Sequence, residues 1–556
     1  GDVYKRQPQA LVQVNGNVTL AGDLNVTDKG GFGVGVYRLL GYTGTLTNNG
    51  LALGTLPPGT LPANLQIQTA VNQQVNLIVQ AGGNNVQFWN GAKLAADGTL
   101  AGGSGTWQAG TTNWTDQTGN LSQAWGSQFA VFGGLAGGAV TVSGDQAVTG
   151  MQFFTDGYTL AGGGLQLASG TNNFRVDPLL TGTVNSDIKG AGQLQKRDLG
   201  TLVLGGANTY TGGTLVAEGV LQVSADSNLG AANGALGFAG GTLRVTGTGY
   251  TGTTRAIDIG AGAGFDIADA GNTFTLNQAL TGAGRITKLG AGTLALGGNN
   301  SAIGGVTLGA GTVSVGSNTA LGTGSFNING SGALDSTAAV TLANDVFIGA
   351  GNTLTNLGTN DLTLNGVVAG TTGALAKSGN STLTLNGANS YAGGTTLSAG
   401  AIRVGSNTAL GTGLLTVAGA SSLLSDSTVA LGNGIALNAN LTTGGTGNLT
   451  LNNAITGAGT LIKSGTGTLT LNGINSHAAT QLASGTLLLG NNQALGTGNL
   501  SVTGNAALDG ATAGLSLGNA ITLASGANLT LAQSQEATLS GSVSYTHLTL
   551  PTKRIV

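Results

Sequence analysis

The chain has 556 residues, with 104 Gly, 6 Pro and no Cys; only 7% are charged and the net charge is −3. A balance so near neutral excludes nucleic-acid or anionic-membrane binding through a basic surface. No run reaches the roughly eighteen consecutive apolar residues of a transmembrane helix, and an apolar fraction of 40% argues against glycine-rich disorder.

In chain order, residues 1–7 and Ser544–Val556 break the Gly/Asn/Thr rhythm of everything between them. Both resemble translated sequencing-adapter read-through, so they are set aside as non-native and the chain reads as a fragment without its true termini. Residues 8–185 form the aromatic-richer region. They hold all four tryptophans, Trp89, Trp107, Trp114 and Trp125, together with Phe129, Phe132, Phe153, Phe154 and Tyr158. Alternation persists at Val140/Val142 and Leu165/Leu167, which predicts β-solenoid with wide rungs. Core filling is preferred over a carbohydrate-stacking platform, because the rings lie in apolar alternating runs.

Residues 186–543 are a repeat with units starting near Lys196, Lys288, Lys377 and Lys463, spaced 92, 89 and 86 residues apart. Counting from Lys377, Thr382, Leu383, Leu385, Gly387, Asn389 and Tyr391 recur in the other copies, with Ala302 and His477 at the Tyr position. Thr382–Leu385 alternates polar and apolar residues, the period of a half-buried strand. Asn386-Gly387 stops that strand, because the pair tolerates positive φ. Strands of three to five residues leave no room for helices, and no single rung buries enough apolar area to fold alone. Stacking therefore follows, with about four rungs of about 22 residues per unit, roughly 24 rungs in all and a length on the order of 115 Å.

The search for chemistry finds no catalytic, cofactor-binding or metal-binding residue to nominate. His477 sits where other copies carry Tyr or Ala and reads as a structural substitution. Glu218 and Glu536 are far apart. Gly514–Gly518 matches the nucleophile-elbow spacing but lies in a strand-like run. Lys377-Ser378 and Lys463-Ser464 lack the glycine a phosphate loop needs before its lysine. Asp258, Asp266 and Asp269 with Arg255 are the densest charged group, read as solvated surface. The repeat lysines are too widely spaced for one site and read as caps or solvated groups. Sequons such as Asn17 and Asn113 are expected by chance in so Asn/Thr-rich a chain. The lack of cysteine has two readings: a large stacked core needs no disulfides, or the chain must stay unlinked to pass a narrow pore.

The K-x-G-x-G-T-L-x-L-x-G-x-N-x-Y-x-G-G-T-x-L pattern, carried at Lys196–Leu215, Lys288–Leu308, Lys377–Leu397 and Lys463–Leu482, resembles the passenger-associated transport repeat of autotransporters. The G-x-W-x-x-G-x-x-N-W stretch with A-V-F-G-G and G-Y-x-L upstream is similar to what precedes such repeats. The resemblance implies an all-β, right-handed parallel β-helix: an elongated, monomeric rod at the cell surface or secreted. It also implies a partner, the same polypeptide's C-terminal outer-membrane β-barrel, which this sequence lacks. The function it implies is a stalk that supports export and display, adhesive toward a host or surface glycan or protein. The alternative is a β-helix that itself binds or degrades glycans. The copies depart from the pattern at Arg197-Asp198-Leu199, Ala302 and His477-Ala478-Ala479, which leaves the local turns open.

Overall fold

The computed structural model describes residues 12–28, 32–82, 86–532 and 534–545. Residues 1–7 and 546–556, set aside above, lie outside them. Val543–Tyr545 still continues a ladder, pairing in parallel with Ile521–Leu523. Among the described residues the regular elements are β-strands, apart from two single 3-10 turns at Pro62–Asn64 and Asp226–Leu229. The chain divides into two compact units, Gly1–Phe274 with Leu280–Ile286, and Thr275–Ala279 with Thr287–Val556.

The first unit is a parallel stack with an irregular start. Phe129–Phe132, Gly150–Phe153, Thr171–Val176 and Gln193–Arg197 pair in parallel and in register on one face. Ala139–Ser143, Tyr158–Gly162, Thr181–Val184 and Thr201–Leu204 do so on a second. The start departs from the parallel pattern. Gly35–Tyr42, Gln74–Val79 and Leu65–Gln68 form an antiparallel sheet. Trp114–Thr115 turns back against Phe88–Trp89 and Ser122–Gln123, inside the 43-residue step that separates the register partners Val86 and Phe129.

The second unit is a parallel solenoid throughout. Thr382–Leu385 shows how its strands arise. Leu383 and Leu385 are fully buried and the threonines face outward, each leucine contributing about 1.5–3 kcal/mol by burial. Register steps vary from 18 residues (Thr468 to Thr486) to 23 (Leu508 to Leu531). A consequence is that the long repeat is not a whole number of turns. Four steps lead from Leu294 through Val313, Leu334 and Asn356 to Lys377. Four more lead from Leu383 through Ile402, Leu423 and Thr443 to Lys463. Each lysine thus stacks above the leucine six residues past the previous lysine. In this unit Lys288, Lys377 and Lys463 lie in three different sheets. Where four rungs per copy are expected, the structure has four turns plus one face.

Candidate functional site

The positions that recur in every copy are the natural candidates for function, and the structure places them inside the wall. Lys196, Lys288, Lys377 and Lys463 are buried to within 3%. Each stem fills a core column, and each ammonium turns toward main-chain carbonyls at the corner that follows. Lys463 Nζ donates to Ser464 O at 2.6 Å and Gly465 O at 3.0 Å in its own turn, then to Ser484 O at 3.1 Å in the next. Lys288 does the same with Leu289, Gly290 and Ala310, and Lys196 with Arg197, Asp198 and Glu218. Lys377 bonds Ser378 and Gly379. Burial pulls Lys463 down to about 8 and Lys196 to about 7. Three carbonyl acceptors require three N–H donors, which only the ammonium form supplies, so we assign that form at neutral pH.

The corner needs a left-handed residue two positions after the lysine. Gly290, Gly379 and Gly465 supply it with φ of 73°, 67° and 74°. In the copy without that glycine, Asp198 adopts φ 60° instead, a conformation Asp tolerates. The turn left open by Arg197-Asp198-Leu199 is therefore the same turn.

Asn389 joins three turns. Its Oδ1 accepts from Val368 N at 2.7 Å and its Nδ2 donates to Ala409 O at 2.6 Å. Asn208 and Asn475 repeat the arrangement. Asn389→Ala leaves one buried N–H and one buried C=O unpaired. It is expected to cost about 2 kcal/mol, read as a lower urea midpoint with faster amide exchange at Val368.

Tyr391 OH shares a hydrogen bond with Thr395 Oγ1 at 2.7 Å, and Tyr210 OH with Thr214 Oγ1 at 2.6 Å; burial raises both phenols. His477 fills the same place, with Nε2 2.8 Å from Thr480 Oγ1. Its loop is one residue shorter, since it lacks the Gly-Gly, so the threonine lies at i+3 instead of i+4 and a smaller ring reaches it. Thr480 Oγ1 donates onward to Leu495 O at 2.9 Å, so it accepts from an imidazole protonated on Nε2. A second proton would go to the buried Nδ1. Burial accordingly pushes His477 down to about 4. The folded value lies below the ordinary one of about 6.5, so this group's contribution is present above pH 6.5 and lost as pH falls through 4. Unfolding is expected to become easier by about 2 kcal/mol between pH 6 and pH 4, and His477→Gln to flatten that dependence.

A further recurring position has little sequence signal. Asn344 Nδ2 donates to Gly322 O and Gly324 O, Asn433 to Gly411 O and Gly413 O, and Asn519 to Gly496 O and Gly498 O. Their only mark is an L-x-N triplet spaced 89 and 86 residues apart. Arg255 caps the equivalent corner of the first unit, donating to Gly230 O at 2.8 Å and Ala231 O at 2.6 Å while paired to Asp226 at 2.9 Å.

The remaining candidates disperse. Asp266 pairs with Arg244, Asp269 accepts from Gly247 N and Asp258 from Thr281 Oγ1. Arg255 and Asp266 are buried while Asp258 is exposed, so the group is solvated surface only in part. Glu218 accepts from Asp198 N, and Glu536 is exposed. Ser516 lies in the strand Leu515–Leu517, paired in parallel with Ala537–Leu539. Among the described residues, no group of three or more His, Cys, Asp or Glu side chains is placed to hold a metal. Trp89, Trp107 and Trp114 are buried and pack edge-on at 4.9–5.3 Å, as core and not as a platform. Asn17 Oδ1 accepts from Thr45 N, and Asn113 is buried. Taken together, these groups can hold one turn to the next, and no nucleophile–base pair emerges among them.

Comparison with known proteins agrees with this geometry. The passenger-associated-transport-repeat model matches residues 194–223, 286–315, 375–404 and 461–489, with each repeat lysine third in its match. The chain is 43% identical over 288 residues to the adhesin BmaC autotransporter of Brucella suis biovar 1 (strain 1330). That alignment covers 49% of this chain and 8% of the relative. No solved structure matches.

Proposed function

We propose that this chain, a stretch of autotransporter passenger built on transport repeats and carried to the cell surface or beyond through the outer membrane, acts as a structural stalk. It supports export and holds an adhesive activity away from the membrane. The observation that carries this reading is the fate of the repeated polar residues: lysine and asparagine are consumed in joining one turn to the next, and the tyrosine hydroxyl is bonded within its own loop. Such joints let each turn template its neighbour. Burial of new core outside the membrane would then oppose backsliding of the chain. The partner in export is the polypeptide's own outer-membrane β-barrel, and no catalytic role is proposed.

The test is surface display. The segment is fused to an outer-membrane β-barrel in a Gram-negative host and probed with antibody on intact cells. A Lys288→Met, Lys377→Met, Lys463→Met triple variant is expected to lower surface labelling several-fold at equal synthesis. Undiminished display of the triple variant, or depolymerisation of a polysaccharide by the isolated protein, would overturn the reading.

A further inference from the structure

In the first unit, the antiparallel sheet meets three successive corners of the stack and borders a half-open pocket of about 250 Å³. Arg38 and Gln74 come from the sheet, and Asp156, Asp177 and Leu135 from the corners. The seam is fixed by bonds in both directions. Gln152 accepts from Val36 N at 2.7 Å and donates to Val36 O at 2.8 Å and Asp177 Oδ1 at 2.7 Å. Arg175 donates to Val34 O at 2.8 Å and pairs with Asp198 at 2.8 Å. The walls are therefore preorganised.

The pocket offers donors and acceptors. Arg38 lines it, lying over the Phe154 ring at 4.6 Å and donating through one terminal nitrogen to Phe154 O at 3.4 Å; a guanidinium carries five N–H groups, so this bond does not exhaust it. Asp156 accepts from Thr181 N through Oδ1 and Asp177 from Gln152 through Oδ1, leaving the second oxygen of each carboxyl. Burial, with the nearby Asp198 charge, pushes Asp177 upward. The rim carries apolar side chains, Leu135, Pro178 and Leu180, with Leu135 75% exposed. Leu179, between the last two, holds φ 62°, a conformation that costs a non-glycine residue free energy.

Volume and charge select the ligand. The pocket is smaller than the roughly 300 Å³ at which drug-sized sites begin, which suits a single ring. An acidic ligand would face Asp156 and Asp177, and a cationic one Arg38. A neutral polyol uses carboxyl acceptors and guanidinium donors at once, with its C–H face on the leucine rim. We propose that this pocket binds one neutral pyranose, the terminal sugar of a glycan. The proposal gives the adhesive reading its ligand class, yet it is measured in solution without export, so failure of either leaves the other standing.

The test is saturation-transfer NMR with titration of the whole 556-residue chain against galactose, glucose, mannose, glucuronate, sialate and glucosamine. At least one neutral sugar is expected to receive saturation, and the acidic and amino sugars none. Asp156→Ala, at an exposed corner, is expected to weaken binding at least about tenfold with an unchanged circular dichroism spectrum. Arg38→Met is a second variant acting from the opposite wall. No transfer to any neutral sugar, equal transfer to glucuronate or sialate, or affinity unchanged in both variants would overturn the proposal.

Discussion

Lys463→Met is expected to destabilise the second unit by about 3–4 kcal/mol. Methionine keeps the unbranched stem in the column, so the core loses little volume. What goes is the ammonium, and with it the donors to Ser464 O, Gly465 O and Ser484 O; of these, Gly465 O keeps a second donor, Ser484 Oγ at 3.2 Å. Each buried carbonyl left unpaired costs about 1–3 kcal/mol. Relief from burying a charge offsets part of that sum, which sets the net. The measurement is the urea midpoint, with amide exchange read across the turns that hold Ser464 and Ser484. The control is Lys93→Met: Lys93 is a surface lysine paired with Asp97, and its loss should cost about 1 kcal/mol or less. Equal effects at the two lysines would show that the buried ammonium carries no structural weight.

Gly485→Ala is expected to cost a further amount of similar size, about 3 kcal/mol, for two separable reasons. Gly485 has φ 75°, which costs alanine roughly 1 kcal/mol. Its Cβ would also fall onto Gly465 O, Lys463 Nζ and Gly467 O, which are held by the lysine corner and cannot yield cheaply; such overpacking adds about 1–3 kcal/mol. Gly247 separates the two terms. It has φ 74° with nothing within 4 Å of a Cβ, so Gly247→Ala is expected to show the backbone cost alone, about 1 kcal/mol. Matching losses at the two glycines would deny the close approach between turns.

The alternation of Thr382–Leu385 and its copies made the strands and their buried side legible, because in-or-out orientation is local and has a period of two. The family resemblance rested on the same residues. What the alternation could not convey is which turn lies above which. Register steps range from 18 to 23 residues, and the difference lies in Gly/Asn corners that carry no pattern of their own. So the advance of one face per copy, the third carbonyl on Lys196, Lys288 and Lys463 and the Asn344/Asn433/Asn519 caps emerge only in three dimensions. Lys463 looks like a surface residue in sequence, because nothing nearby tells that its partners arrive from Ser464, Gly465 and Ser484. The antiparallel sheet at Gly35–Val79 was hidden for another reason: strands of either sense alternate alike. The sugar pocket depends on that sheet meeting the corners at Asp156 and Asp177, and had no signal in the sequence.

The most direct test of the stacked arrangement uses a chain free of native cysteine. Thr363 and Thr384 are register partners one turn apart, and Arg403 is the partner of Thr384 one turn further on. Neighbouring strands lie about 4.8 Å apart, within disulfide reach, and next-but-one strands about twice that, beyond it. On mild oxidation, a Thr363→Cys/Thr384→Cys variant should cross-link nearly completely and Thr363→Cys/Arg403→Cys should not. Cross-linking of both pairs alike, or of neither, would contradict the column of turns on which every assignment above depends.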